Sequence, residues 1–187
     1  MKIGGLMKGL LIISHNMEDV EALGSRALLV RAGFDITMAS FDDPKKIQTA
    51  FGLNIEVEVD AFNVQVEDYD FLMIPGGKYV GQTVDNDKHI KQLATAFKAQ
   101  NKMIAAICAG PRFLGQAGLL DWVHYTAFPG SEKDIENGFY HPDEKAMTDQ
   151  DFITARGAGA VYDFVYEIIA YYHDHKAAKA LLDQIKY

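Results

Sequence analysis

Cysteine is almost absent from this sequence: Cys108 is the only one among 187 residues. One cysteine excludes an intramolecular disulfide and a multi-cysteine zinc site, and it suits a reducing, cytoplasmic compartment. His and carboxylate residues show no metal-ligand spacing, so neither a metal nor a cofactor is expected. Basic charge is also in short supply, with a formal net charge of −8. Lys and Arg are scattered without a patch, which argues against a nucleic-acid partner. No apolar run approaches the roughly 20 residues that span a membrane, so no membrane partner is expected. The opening MKIGGLMKGLLIIS lacks a small-residue cleavage site and reads as a first strand rather than a signal peptide. Internal repeats and low-complexity linkers are missing too, which predicts a single domain over 1–187.

What is present centres on KMIAAICAGPRFLGQAGL, residues 102–119. Met103 to Ile107 reads as a buried strand, followed by a sharp turn at Cys108 and a helix. Ala106 and Gly110 stand two before and two after the cysteine. That is the layout of a nucleophile elbow, with Cys in place of Ser. A side chain on a strained strand-to-helix turn needs small neighbours because the two backbones crowd it. Pro111 suits the first helical turn. The positive end of that helix is expected to favour thiolate over thiol and so lower the thiol pKa. On these residues alone, a reactive nucleophile and a buried structural cysteine both stand.

In chain order, KGLLIIS at 8–14 is an apolar run of the kind buried on both faces of a sheet. Glu18 to Ala32 reads as a helix stopped by Gly33, and Phe34 to Ser40 as a second strand, which completes a βαβ unit. Ile47 to Phe51 and Asn54 to Val59 predict a half-exposed hairpin or edge strand. Tyr69 to Ile74 is a buried strand closed by Pro75-Gly76-Gly77. A helix over Asp87 to Gln100 leads into the Cys108 strand. Val123 to Phe128 predicts a short strand. Lys145 to Thr148 and Phe152 to Ala155 predict a hairpin. Helices from Gly157 to about His173 and from Lys176 to Ile185 complete the chain. The alternation implies an α/β fold with a largely parallel central sheet. Such sheets carry their sites at the carboxyl ends of the strands. The turns at His15 to Glu21, Pro75 to Tyr79 and Cys108 to Pro111 all reach that edge. Gly157-Ala158-Gly159 opens a helix after a strand, but the third glycine and the ribose-binding acid of a dinucleotide site are missing.

EDVEA at 18–22, LLVRAG at 28–33, DYDFLMIPGG at 68–77, AAICAGP at 105–111 and ITARGAG at 153–159 together resemble the ThiJ/PfpI superfamily, in the branch of the parkinsonism-associated protein DJ-one. The resemblance covers nearly the whole chain. It implies a flavodoxin-like three-layer sandwich and a homodimer, built in part from the first helix around Met17 and Arg31. It places the family's acidic partner of the cysteine on Glu21, protonated and hydrogen-bonded to the sulfur. Burial that raises a carboxyl pKa would allow this. Glu18 and Asp19 read instead as charges complementing the helix N-terminus. Gly76 and Gly77 are candidate substrate-approach residues, and the N–H groups of Gly77 and Ala109 are candidate oxyanion donors. Arg31 and Arg156 match family arginines near the dimer interface.

Two positions depart from the pattern of the family's best-known member. Phe128 stands where that member has a histidine, and Phe51 falls near the position of an arginine. Ala109 stands where peptidase-like members carry His, which argues against a peptidase and a full Cys-His-acid triad. His15 lies on the correct edge and is the candidate replacement; His124 and His141 rank below it.

The resemblance implies a cofactor-independent, cysteine-dependent enzyme acting on 2-oxoaldehydes, of glyoxalase or deglycase type. Cys108 would form a hemithioacetal and Glu21 would move the proton. The alternative is a redox-sensing or oxidative-stress protein whose thiol oxidises to sulfinic acid. The partner is accordingly a small carbonyl substrate or an oxidant. A thiazole-biosynthesis role rests only on names attached to similar sequences.

Overall fold

Apolar runs such as residues 9–12, Phe71–Ile74 and Met103–Ile107 neither alternate nor carry charge, and they can be satisfied only in the middle of a layered sheet. The computed structural model, which describes residues 6–187, places them there. The strands are β1 (Lys8–Ile12), β2 (Asp35–Ser40), β3 (Ile47–Gln48), β4 (Asn54–Ile55), β5 (Val59–Asp60), β6 (Phe71–Ile74), β7 (Met103–Ile107), β8 (His124–Tyr125), β9 (Phe139–Tyr140), β10 (Ala146–Asp149) and β11 (Phe152–Ala155). The helices are α1 (Ser25–Arg31), α2 (Lys78–Thr83), α3 (His89–Ala99), α4 (Pro111–Gln116), α5 (Val161–Tyr172) and α6 (His175–Ile185). Residues 1–5 of the opening run, read above as strand rather than signal peptide, lie outside the described residues.

The main sheet has the order β10-β11-β7-β6-β1-β2-β5. Every neighbouring pair is parallel except β10 with β11. α1, α5 and α6 pack together on one face, and α3 packs with α4 over β6 and β7 on the other. β6 and β7 are buried along their whole lengths, as sheets covered on both faces require. This is the expected mixed α/β sandwich. The chain runs outward from β1 to β2 on one side and returns through β6, β7 and β11 on the other. The strand order therefore reverses beside β1, and the carboxyl ends of β1, β6, β7 and β11 border the crevice where such sheets hold their ligands.

Several local expectations change. The first helix does not run unbroken from Glu18: residues Val20–Gly24 form a wider π turn, and α1 starts at Ser25. The stretch 47–59 divides in two. β3 and β4 make a small separate hairpin, while β5 joins β2 in parallel at the sheet edge. The strand expected at Val123 to Phe128 shrinks to β8, which pairs in parallel with β9 outside the main sheet. α2, a short helix directly after Gly77, has no counterpart in the sequence reading. Its six residues are too few to show a period. Met17 is fully buried within its own chain, so it cannot pack across a dimer interface. The apolar groups that this segment leaves exposed are Val20 and Val30.

Candidate active site

β7 delivers Cys108 to the sheet edge in a left-handed backbone conformation, with φ 61°. A side chain bearing Cβ adopts this region at a cost, and such strain gathers at functional turns. The turn is held from both sides. The Cys108 N–H donates to the Ala155 carbonyl at 2.8 Å, and the Phe128 N–H donates to the Cys108 carbonyl at 2.8 Å. The small neighbours have the expected reason: a Cβ on Gly110 would lie 2.6 Å from the Ile74 carbonyl oxygen. The thiol itself is partly exposed.

Glu21 comes to the same point from the π turn and is 1% exposed. Its carboxylate accepts the Gly76 N–H at 2.9 Å, and it shares hydrogen bonds with the Cys108 thiol and the Ala158 backbone. Gly76 is wedged between the two. A Cβ there would stand 2.6 Å from Cys108 Cβ and 2.7 Å from Glu21 Oε2. Gly77 crosses over Met17 at φ 121°, where an added Cβ would meet the Glu18 nitrogen at 2.5 Å. The Glu18 N–H donates to the Gly76 carbonyl at 3.0 Å, and Tyr79 Oη donates to the Pro75 carbonyl at 2.8 Å. The three sequence-distant turns therefore meet, and Gly76 is committed to holding Glu21 rather than open to a ligand.

Burial pushes the Glu21 carboxyl from 4.5 to about 7. The Cys108 hydrogen bond opposes this, Glu18 adds to it, and the N–H groups of Gly76 and Ala158 pull it back down. The Cys108 thiol moves in the direction opposite to the sequence expectation. It is raised, first by burial, then by the charge of Glu21 and the hydrogen bond to it; only the Ala109 backbone lowers it. α4 is short and Cys108 lies outside it, so the helix terminus is outweighed. Two neighbouring anions in a poorly solvated site repel. The pair therefore loses its protons in two steps, the carboxyl's first and the thiol's only at higher pH, and each ionisation opposes the other. With Glu21 protonated, the charge that raises the thiol disappears and its O–H can donate to the sulfur.

The other candidates part company with this centre. Glu18 Oε2 accepts the Glu21 N–H at 2.6 Å, a cap of the kind expected. Asp19 stands at the N-cap of the π turn and does more: its carboxylate accepts from Thr49 Oγ1 at 2.7 Å and from the Phe51 N–H at 3.2 Å, tying the β3–β4 hairpin to the π turn. His15 is exposed. Its Nδ1 accepts the Gln48 N–H at 3.1 Å, and its own N–H donates to Asp42. These partners hold His15 at the β3–β4 hairpin, and it makes no hydrogen bond to Cys108 or Glu21 among the described residues. His124 and His141 meet each other, with Nδ1 and Nε2 2.7 Å apart, on the separate β8–β9 ribbon. Arg31 and Phe51 are exposed, and Arg156 Nη1 donates to the Asp143 carbonyl at 3.4 Å. No group of three or more His, Cys, Asp or Glu among the described residues is placed to hold a metal ion.

Ala158 is the residue of this centre that the sequence reading did not single out for it. Its signal was the glycine pair around it, read as part of the ITARGAG resemblance motif and as a failed dinucleotide motif, but not as a partner of Glu21. The same segment, with Phe128, Pro129, Pro142 and Arg156, encloses a cavity of about 390 Å³.

Comparison with known proteins agrees with this geometry. The sequence model of the DJ-1/PfpI family matches residues 7–171. Deglycase PfpI of Pyrococcus furiosus is 28% identical over 165 residues, covering 87% of this chain and 98% of the relative. Protein dj-1beta of Drosophila melanogaster is 25% identical over 160 residues, covering 85% of this chain and 86% of the relative. The solved structure of Toxoplasma gondii DJ-1 in oxidised form superposes with a TM-score of 0.88 at 26% identity, covering 97% of this chain and 98% of that one.

Proposed function

The chain belongs to the DJ-1/PfpI family, and on that premise we propose that it converts 2-oxoaldehydes to 2-hydroxy acids without a cofactor. The observation that carries this reading is the strained Cys108 turn with a buried carboxyl hydrogen-bonded to its sulfur. Relatives named as deglycases support a deglycase or protective role for the chain, within which this reaction is our proposal. Glu21 as carboxylate takes the thiol proton as the sulfur attacks the aldehyde carbon, the carbonyl π pair moves to oxygen, and Glu21 passes that proton to the oxygen to complete the hemithioacetal. Glu21, now ionised, removes the proton from that carbon. The resulting enediol is reprotonated at the neighbouring carbon, giving a 2-hydroxy thioester. Water then releases the acid and regenerates the thiol. The aldehyde carbon is oxidised and the ketone carbon reduced within one molecule, so no external oxidant or reductant is consumed. A carboxyl poised at about 7 is suited to giving and taking that proton near neutrality. The N–H groups of Gly77 and Ala109 would face the developing oxyanion.

The test is the loss of methylglyoxal and appearance of lactate, followed by proton NMR. Wild type is expected to turn over, and Cys108→Ser to lose at least about a hundredfold. Equal rates in the two proteins would defeat the reading.

A second reading, a redox-sensing protein, is favoured by one observation: Cys108 is a free cysteine that is only partly buried, beside a carboxyl able to hydrogen-bond its oxidised form. Peroxide treatment followed by intact mass would then add oxygen at Cys108 in protein that shows no aldehyde turnover.

A further inference from the structure

We propose that the cavity beside Cys108 is a subsite for an aromatic substituent of the substrate, with Phe128 as its specificity-determining residue. This rests on the 2-oxoaldehyde reading and adds the class of aldehyde: an arylglyoxal in preference to a three-carbon one.

Phe128 is a large apolar side chain left 51% exposed, although its own main chain is fixed by the bond from its N–H to the Cys108 carbonyl. The half-exposed ring is therefore carried on a backbone bonded to the nucleophile's turn, and it lines the cavity. Gly157 and Gly159 leave that space open. A Cβ on Gly157 would only reach ordinary contact with Phe128 Cδ2, at 3.7 Å, and one on Gly159 would meet nothing within 4 Å. Pro129 and Pro142 add rigid apolar walls. At about 390 Å³ the cavity falls in the size range of small-molecule pockets, about 300–1,000 Å³. A methyl substituent would leave most of it to water, whereas an aryl ring could stack on Phe128 and exclude that water. Continuity with the reacting centre comes from both walls: Phe128 bonds the Cys108 main chain, and Ala158 bonds the Glu21 carboxyl. Arg156 is the one charged side chain among the lining residues, which disfavours a cationic substituent.

The experiment compares initial kcat/KM for phenylglyoxal and methylglyoxal in wild type, Phe128→Ala and Phe128→Leu. In parallel, the rate at which 2-bromoacetophenone and bromoacetone alkylate Cys108 is measured, each corrected for its rate with glutathione. Wild type is expected to favour the aryl compound by about tenfold in both assays. Phe128→Ala should remove most of that preference, and Phe128→Leu should restore part of it. An aryl-to-methyl ratio unchanged by Phe128→Ala would overturn the proposal. So would aryl labelling that slows as protein concentration rises, since a second copy would then occupy the cavity. If neither aldehyde turns over, the 2-oxoaldehyde reading fails, while the alkylation ratio still decides whether the subsite exists.

Discussion

Two walls of the same crevice are built in opposite ways. On the β6 side, Gly76 and Gly77 are jammed, with no space for a single added carbon. On the β11 side, Gly157 and Gly159 stand beside open space. Both walls are glycine-rich, so composition does not distinguish them. The jammed wall fixes sulfur and carboxyl against each other, where an error of a few tenths of an ångström would change the hydrogen bond between them. The open wall leaves volume beside that pair. Position is thus controlled on one side and room is provided on the other, in keeping with sites that hold reacting groups rigidly while accepting a ligand.

The largest effect that would break this contrast is on the jammed wall. Gly76→Ala would press a methyl group against Cys108 and the Glu21 carboxylate. It would also strain the 2.9 Å bond from its N–H to Glu21. Overpacking of this kind costs about 1–3 kcal/mol, and a lost bond to a charged group about as much again. Urea unfolding should show a loss of roughly 3 kcal/mol, with alkylation of Cys108 altered in any protein that still folds. A change below about 0.5 kcal/mol would mean that the wall gives way easily and is not jammed.

Much of this was legible because it is local. Met103–Ile107 was read with its observed ends because an unbroken apolar run has one place to go in a layered fold. Cys108 was read from the small residues its turn requires. The π turn was not legible, since EDVEALGSRALL has the composition of an ordinary helix and nothing local announces the extra residue in the turn. Yet such turns gather at functional sites, and this one carries Glu21. The second role of Asp19 was not legible for a different reason. Its partners, Thr49 and Phe51, lie about thirty residues away, and no local pattern encodes that contact. The direction of the thiol pKa also failed locally. A helix terminus is visible in sequence, whereas the burial and the neighbouring charge that outweigh it belong to the folded chain.

The next effect is comparable at its upper limit and depends on pH. Glu21 carries a raised pKa, about 7 against 4.5 in the unfolded chain. Between these values the native state binds more protons than the unfolded state, so this group makes stability fall as pH rises. Below about 4.5 the carboxyl is neutral in both states and the cost is absent. Above about 7 the cost is complete, on the order of 3 kcal/mol before solvent relaxation reduces it. Glu21→Gln removes the titration. Wild type should therefore lose stability relative to the variant as pH goes from 4 to 8, with the change concentrated between about 4.5 and 7. Parallel stability curves would show that Glu21 is not held out of water, and the description of the pair as two mutually opposed ionisations would fail with it.

The smallest effect sharpens the comparison from the open wall. Gly159 lies in the short turn Ala158–Ala160, without the left-handed φ that marks Gly77. A Cβ there meets nothing within 4 Å. Gly159→Ala should therefore cause no clash and should restrict the unfolded chain. Substitutions of this type at compatible positions stabilise by about 0.4–1 kcal/mol. The sign is the informative part, because the same chemical change at Gly76 is expected to destabilise several times more strongly. Methylglyoxal turnover should be unchanged, since Gly159 makes no contact with Cys108 or Glu21 among the hydrogen bonds described. A loss of stability at Gly159 comparable to that at Gly76 would mean that the open wall is as tightly fitted as the jammed one. The space beside Phe128 would then be unavailable to a ligand.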